Sequence, residues 1–252
     1  MIFLIFLYGI VLASFYIVVG LRLPMGESIF GPRSHCDSCK HVLAWYELIP
    51  LISYLIQRGK CRECKKEIPK FYFLIELLTG LLFALCFHLY GLSYEFYAGI
   101  IIVSVVIIIY VSDFKYMIIL DSPLVISTIL ILLLKYFYFG GIATAKAMIS
   151  SFLMFMFLLT IKLVADKVFK REALGGGDVK LSLLTGVVLG IKLGLTSMII
   201  SSFLAFPYAL FSLKKEEEKE IPFGPFLATG LFIVFIFMEP IVGFISTFLV
   251  FT

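Results

Sequence analysis

The sequence predicts an all-α polytopic membrane protein, and three observations carry that expectation. The chain has 252 residues, 62% of them hydrophobic and only 15% charged. Its mean hydropathy is +1.09, and one soluble core of this size cannot hide so much apolar surface. The apolar residues fall into successive runs of the length that a hydrocarbon core of about 30 Å asks of a helix. The polar residues gather in one long segment, 21–70, and in short loops. The net charge of +4 would admit a nucleic-acid partner, but the basic residues form no arm or continuous patch, and nucleic acid is set aside.

Residues 2–20 are uncharged and span-length. No lysine or arginine precedes them, so they read as a retained helix and not a cleaved signal peptide. Further spans are expected at about 71–91, 96–112, 117–138, 143–165, 179–191, 194–213 and 222–251, which with the first makes about eight transmembrane helices. The sixth, 179–191, is short for a crossing.

Segment 21–70 carries nine Lys/Arg, five Asp/Glu and four of the five cysteines. Cys36-Asp37-Ser38-Cys39 and Cys61-Arg62-Glu63-Cys64 are two CxxC pairs separated by 21 residues, close to the spacing of zinc ribbons and knuckles. A polar module of this size has little core and gains from a metal staple. Four thiolates fill a tetrahedral shell and leave no position for water, so the expected Zn²⁺ is structural and not catalytic. The competing readings are two disulfides or four thiols. His35 and His41 flank the first pair as alternative ligands or plain loop residues.

Basic residues set the orientation. With the N-terminus outside, 18 of the 21 Lys/Arg lie on or beside the cytosolic side, leaving Lys135, Lys146 and Lys192 for the other. This puts the cysteine module in a reducing compartment, which favours metal over disulfide. The expected architecture is therefore a membrane bundle with a small cytosolic zinc-binding domain inserted after the first helix.

On this arrangement Asp113, at the cytosolic end of the third span, and Asp178, at the start of the sixth, share one membrane depth. Two carboxylates brought close do not ionise together easily: one keeps its proton as an acid while the other takes a proton from water. That chemistry hydrolyses a peptide bond without a Ser, Cys or His nucleophile, and the chain has no HExxH or GxSxG motif. Either acid alone would be read more simply as a helix-end cap. Before Asp178 stands Gly175-Gly176-Gly177, a run expected to turn tightly through positive φ and to approach a ligand closely.

Several motifs follow one another in order: Leu23-Pro24, Pro32-Arg33-Ser34, Trp45-Tyr46-Glu47-Leu48-Ile49-Pro50, Gly59-Lys60-Cys61-Arg62 and Ile75-Glu76-Leu77-Leu78-Thr79. After them come the Asp113 segment, Gly175-Gly176-Gly177-Asp178-Val179-Lys180 and Pro222-Phe223-Gly224-Pro225. With these the chain resembles the type IV prepilin peptidases almost from end to end. The resemblance implies a GxGD-type aspartic endopeptidase of the bacterial cytoplasmic (inner) membrane that cleaves the leader from prepilins or pseudopilins. It implies Asp113 and Asp178 as the catalytic pair, and Cys36, Cys39, Cys61 and Cys64 as zinc ligands. Gly175, Gly176, Gly177, Lys180, Asp121 and Glu76 are expected to support the site. The implied organisation is a first transmembrane helix at 1–20, a zinc-binding domain at 21–70 and a transmembrane peptidase core at 71–252. Overall likeness points to the competence-associated branch.

Three departures stand out. Leu120 replaces the proline usual before Asp121, Ala13 replaces a glycine in the first helix, and Asp37 replaces a proline in the first CxxC. Many members of the family also methylate the new N-terminus with S-adenosylmethionine. The resemblance implies that activity and donor here, but there is no GxGxxG after a strand to hold the donor, and its binding residues are unknown. Two other classes use similar features. A proton-coupled transporter would be expected to show an internal repeat of broken spans, and none is visible. A non-catalytic scaffold presenting the cysteine module would have no need of both aspartates. Among the other acids, Glu76, Asp121 and Glu239 are expected to face water or the bundle interior and not lipid, and Glu239, beside Pro240, to mark a kink or an interface in the last span. Cys86 and His88 read as packing residues, and Lys214–Glu220 as a solvated turn.

Overall fold

The computed structural model describes residues 1–170, 174–214 and 222–249; most of the expected turn at Lys214–Glu220 lies outside them. The described residues form helices joined by turns and loops, with two isolated β-bridges and no strand. Among the described residues, five helices are long and apolar enough to cross a membrane, or six if one bent pair is a single span. Two of the long helices are themselves broken at a glycine, which brings the apolar segments to the expected eight.

The chain divides into two compact units, Met1–Lys115 and Tyr116–Thr252. In the first, helix α1 (Ile2–Arg22) leads through a 3-10 turn, Leu23–Met25, into the cysteine module. The module holds a second 3-10 turn, Trp45–Leu48, and a short helix α2 (Ile52–Ile56). Helices α3 (Lys70–Tyr90) and α4 (Tyr94–Tyr116) follow. Small residues let α1 approach its neighbours. A Cβ on Gly9 would lie 2.9 Å from Gly80 Cα on α3, and one on Gly20 would lie 2.7 Å from the Val111 side chain on α4. Between apolar helices in lipid, close van der Waals packing of this kind takes the place of a hydrophobic drive. Ala13 is fully buried, so the methyl group that separates it from the usual glycine is accommodated. Ser104 on α4 donates to the Tyr16 hydroxyl on α1 at 2.7 Å. Cys86 is fully buried in α3 as a packing residue.

The second unit contains α5 (Asp121–Phe169), α6 (Gly176–Lys214), α7 (Gly224–Ile236) and α8 (Met238–Leu249). At 49 residues, a straight α5 would run for about 74 Å at 1.5 Å per residue, more than twice a hydrocarbon core. It is broken at Gly140, where φ 79° and ψ 179° admit only glycine comfortably. Asp121 pairs with Lys180 while Lys162 donates to the Leu174 carbonyl. Both ends of α5 therefore meet the start of α6, and the helix doubles back. Helix α6 doubles back in the same way at Gly190 (φ 73°): one small cavity is lined by Ser182 and Thr185 before the break and by Ser197 and Met198 after it.

The last expected span, 222–251, is sharply bent next to Glu239, within the described residues 222–249. Helices α7 and α8 meet at an angle of 82°, with Phe237 as the non-helical residue between them. Glu239 and Pro240 stand in the first turn of α8, where proline's missing N–H costs no helical bond. The charged residue and the proline thus begin a new helix where a continuing one would have to bury both.

Packing in the second unit brings backbones together where α6 crosses α5. A Cβ on Gly186 would lie 2.5 Å from Ser151 Cα and 2.8 Å from the Ser150 carbonyl oxygen, backbone atoms that cannot rotate away. Gly186→Ala should therefore lower the thermal midpoint in detergent and the yield of monodisperse protein, at a cost of about 1–3 kcal/mol, typical of overpacking. Gly243→Ala, with nothing near its Cβ, is the control; a Gly186→Ala variant as stable as that control would refute the contact.

Candidate functional site

The cysteine module is built twice. In its first half the Cys36 N–H donates to the His41 carbonyl (2.9 Å), the Lys40 N–H to the Cys36 carbonyl (2.9 Å), and the Leu43 N–H to the Ser34 carbonyl (2.9 Å). In its second half Cys61 donates to Lys66 (2.8 Å), Lys65 to Cys61 (3.0 Å), and Ile68 to Gly59 (2.7 Å). Every member of the second set lies 25 positions after its counterpart. The β-bridges His35–Val42 and Lys60–Glu67 repeat at the same offset, as do the positive φ values of Lys40 and Lys65, both 58°. Each half is a tight knuckle that turns its two thiols to one side.

The four Sγ atoms lie within 4.8 Å of one another, with Cys36–Cys64 at 3.8 Å and Cys39–Cys61 at 3.9 Å. A disulfide would need about 2.05 Å. A regular tetrahedron with metal–sulfur bonds of about 2.3 Å has edges of about 3.8 Å. The cluster can therefore hold a metal ion, and its size is that of a tetrahedral four-thiolate zinc site. Backbone N–H groups of Cys39 and Ser38 directed at the Cys36 sulfur draw its thiol down to about 6, while Cys39, despite the His41 N–H directed at it, is pushed up to about 11 by desolvation and the neighbouring thiols.

The two neighbouring histidines are engaged elsewhere. His35 Nδ1 lies 3.2 Å from the Arg33 carbonyl oxygen, and His41 Nε2 lies 3.1 Å from a Glu47 carboxylate oxygen. The same oxygen of Glu47 accepts the Ala44 N–H at 2.9 Å. That backbone bond, reinforced by His41, holds the Glu47 carboxyl below the usual carboxylate range even though the residue is buried. Glu76, on the second turn of α3, accepts the Leu51 N–H at 2.7 Å. It ties the module to α3 at a residue whose own φ is +59°.

Asp113 lies in the last turn of α4 and Asp178 in the first turn of α6. Both are buried, and among the described residues the only other buried carboxylate is Glu47. The three glycines before Asp178 differ in what they do. A Cβ on Gly175 would lie 3.2 Å from the Asp178 carboxylate, and one on Gly177 would lie 2.7 Å from Ile119 Cβ; a Cβ on Gly176 would meet nothing within 4 Å. None of the three has positive φ. The expected left-handed turn is absent; close approach requires glycine at 177 and favours it at 175.

Lys180, two residues after Asp178, donates to both Asp121 carboxylate oxygens at 2.7 Å. Asp121 is the first residue of α5, preceded by extended Leu120 (φ −75°, ψ 128°). It is exposed and ion-paired, not held in the bundle interior. The proline missing at 120 does not prevent this start, because Pro123 stands in the first turn, where its fixed φ suits a helix and its lacking N–H goes unused.

Beside Asp178 lies a cavity of about 10 Å³, lined also by Ser182, Thr185 and Ser197 together with the apolar Met154 and Leu158. A volume of this order is about what one water molecule needs. Sequence reasoning missed these hydroxyls, although Asp178, Ser182 and Thr185 are spaced i, i+4, i+7, the interval that aligns residues on one helical face. It also missed the anchoring parts of Glu47 and of Glu76, which only the fold brings to their backbone donors.

Residues 7–90 match the bacterial peptidase A24 N-terminal domain, and residues 100–210 match the type IV leader peptidase family. The cysteine module and Glu76 fall in the first match, Asp113 and Asp178 in the second. The chain is similar to the prepilin leader peptidase/N-methyltransferase of Bacillus subtilis (strain 168), with 31% identity over 97% of both chains. The protein of the same description from Myxococcus xanthus is 39% identical over 73% of this chain and 55% of its own. That from Vibrio cholerae serotype O1 is 29% identical over 90% of this chain and 93% of its own. No solved structure matches the chain. Motifs, helical architecture and end-to-end similarity agree: the chain belongs to the type IV leader peptidase family.

Proposed function

We propose that this protein is a membrane aspartic endopeptidase that removes the leader from prepilins or pseudopilins, with Asp113 and Asp178 as its catalytic pair. The observation that carries the assignment is burial. Of the three carboxylates buried among the described residues, Glu47 is engaged within the cysteine module, whereas Asp113 and Asp178 stand at the ends of apolar membrane helices. A carboxylate is expensive in such a place and marks function by default.

The helix ends suggest how the pair divides its work. The N-terminus of α6 carries partial positive charge, which suits an anion at Asp178. The carbonyl end of α4 carries partial negative charge, which opposes one at Asp113. Asp178 is therefore the base that takes a proton from water, and Asp113 the acid. The water oxygen bonds to the scissile carbonyl carbon as its proton passes to Asp178. Asp113 gives its proton to the carbonyl oxygen; the C–N bond of the resulting gem-diol then breaks as Asp178 passes its proton to the departing nitrogen and a hydroxyl proton returns to Asp113. Gly175 leaves room around the Asp178 carboxylate, and Gly177 lets the segment before α5 pack against the loop. The Lys180–Asp121 pair ties the two helix starts together.

The same reading places the protein in the bacterial cytoplasmic membrane, N-terminus outside, with the cysteine module and both aspartates at the cytosolic face. A prepilin's basic leader and hydrophobic helix would set its scissile bond at that depth. The module binds one structural Zn²⁺ through Cys36, Cys39, Cys61 and Cys64. The relatives' description as N-methyltransferases supports a second activity with S-adenosylmethionine as donor.

Three outcomes are expected. Asp113→Asn and Asp178→Asn, accumulating to wild-type levels, should each lose at least about a hundredfold in cleavage of a prepilin-like substrate in membranes, the scale of a general acid or base. Full cleavage by either would refute the pair. Gly177→Ala should lose most of its cleavage while Gly176→Ala keeps it, and equal behaviour of the two would refute the packing argument. Metal analysis should find one zinc per chain in the wild type and little in Cys39→Ser or Cys64→Ser; unchanged zinc in both would remove the four-thiolate site.

A further inference from the structure

The cysteine module displays apolar side chains that its own packing does not use. Trp45 and Leu48 lie three residues apart in a 3-10 turn and so share one face. Ile52, Leu55 and Ile56, spaced i, i+3, i+4, share a face of α2. All five are exposed, Ile56 by 77%, Trp45 by 75% and Leu55 by 62%. Such a cluster on a small polar module marks an interaction surface.

Its depth relative to α3 indicates what it meets. Leu51, just before α2, donates to Glu76, which lies six residues into α3, about 9 Å along the axis at 1.5 Å per residue. Tyr54 packs against Phe73 with ring centroids 5.2 Å apart, and its hydroxyl donates to the Ile68 carbonyl at 3.4 Å. Helix α2 therefore lies beside the opening turns of a membrane-spanning helix and not above them. From that level α3 exposes Leu74, Leu78, Leu81, Leu85 and Leu89 in succession, a stripe at helical spacing that a spanning helix turns to lipid.

Charge supplies the rest. A groove of about 720 Å³ has Tyr46, Ile49, Ile52 and Ile56 on its apolar side and Arg58, Lys60, Arg62 and Lys65 as its cations. Its one carboxylate, Glu47, is buried and held by Ala44 and His41. Arg62 lies over the Tyr46 ring, 5.4 Å from its centroid, and donates to the Tyr46 hydroxyl at 2.6 Å, so one cation is fixed at the junction of the apolar and basic sides. Apolar residues at interfacial depth beside clustered Lys and Arg are what an anionic bilayer surface attracts.

We propose that the segment from Trp45 to Ile56 is an interfacial anchor. It rests its apolar face in the headgroup region of the bilayer while Arg58, Lys60, Arg62 and Lys65 bind anionic phospholipid headgroups. The anchor holds the module at the membrane surface. This depends on α3 spanning the membrane and not on the assignment of the two aspartates.

Trp45 is the single tryptophan of the chain, which allows a direct test. In a Trp45→Phe background, Ile56→Trp and separately Leu55→Trp place one indole on α2. Each full-length variant, with wild type for Trp45 itself, is set in nanodiscs of phosphatidylcholine with or without phosphatidylglycerol. Quenching by lipids brominated near the headgroup is compared with quenching by aqueous iodide. Bromolipid should quench the α2 indoles at least twofold more than iodide. Phosphatidylglycerol should increase that preference in the wild-type groove but not in Arg58→Gln combined with Lys60→Gln. Strong iodide quenching with none from bromolipid would overturn the proposal by placing α2 in water. Protection from both quenchers would overturn it in favour of a protein cover, such as a second copy of the chain or a substrate helix. Lipid quenching indifferent to phosphatidylglycerol would overturn the anionic headgroup site.

Discussion

An apolar bundle tolerates a carboxylate only where the backbone and its neighbours make room for it, and this constraint governs the second half of the molecule. Asp178 stands in the first turn of α6, where N–H groups without helical partners and the end of the helix dipole favour negative charge. The position has steric consequences. Glycine at 175 leaves the carboxylate space, and the residue at 177 must be small enough to let Ile119 approach. The chain must also return to this spot, which it does by breaking α5 at Gly140 and α6 at Gly190. Each break occurs at a glycine with positive φ, where any other residue would carry strain.

Near the N-terminus a different problem has a different solution. A polar module of fewer than fifty residues between two membrane helices has few buried apolar side chains of its own; Cys61 is the one hydrophobic residue between the 3-10 turn at Leu23–Met25 and α3 that is buried. Two knuckles of the same backbone design, 25 residues apart, instead converge on one four-sulfur cluster. Between them the chain is held by buried Glu47 and by Leu51, whose N–H is bound to Glu76. The carboxylates of this half therefore organise backbone, a use unlike that proposed for Asp113 and Asp178.

Much of this was readable from the residues. Each expected span corresponds to an apolar segment of the fold because lipid requires every spanning stretch to satisfy its own backbone, so length and hydropathy suffice. The cysteine cluster was legible because CxxC places two thiols on one turn whatever surrounds them. The second span boundary at Gly190 was visible although both flanking segments are apolar and α6 reads as almost continuous. What escaped was whatever depends on approach between distant segments. Nothing local to Gly176 and Gly177 says that only the second faces Ile119. The 25-residue repeat is carried by hydrogen bonds shared between sequences that agree mainly in their cysteines and the lysine after each pair. The bend between α7 and α8 was legible as a kink at Glu239-Pro240, because a charge and a proline side by side interrupt an apolar run; its size was not.

The two broken helices also bear on the cavity beside Asp178. Because α6 returns along itself, Ser197 from the far side of Gly190 reaches the same space as Ser182 and Thr185, and the hydroxyls are supplied without any loop entering the bundle. Those hydroxyls also bond helix carbonyls three or four residues back, Ser182 to Val179, Thr185 to Leu181 and Ser197 to Gly194, so they are satisfied where they stand. A hydroxyl keeps acceptor capacity after donating its one proton, and the cavity therefore presents acceptors beside the carboxylate. A water held there would donate one proton to a hydroxyl oxygen and the other to the Asp178 carboxylate, the direction in which the proposed base takes it. The polarity of the cavity is thus set by backbone bonding within α6, which ties the electrostatics around Asp178 to the doubling-back of the helix that carries it.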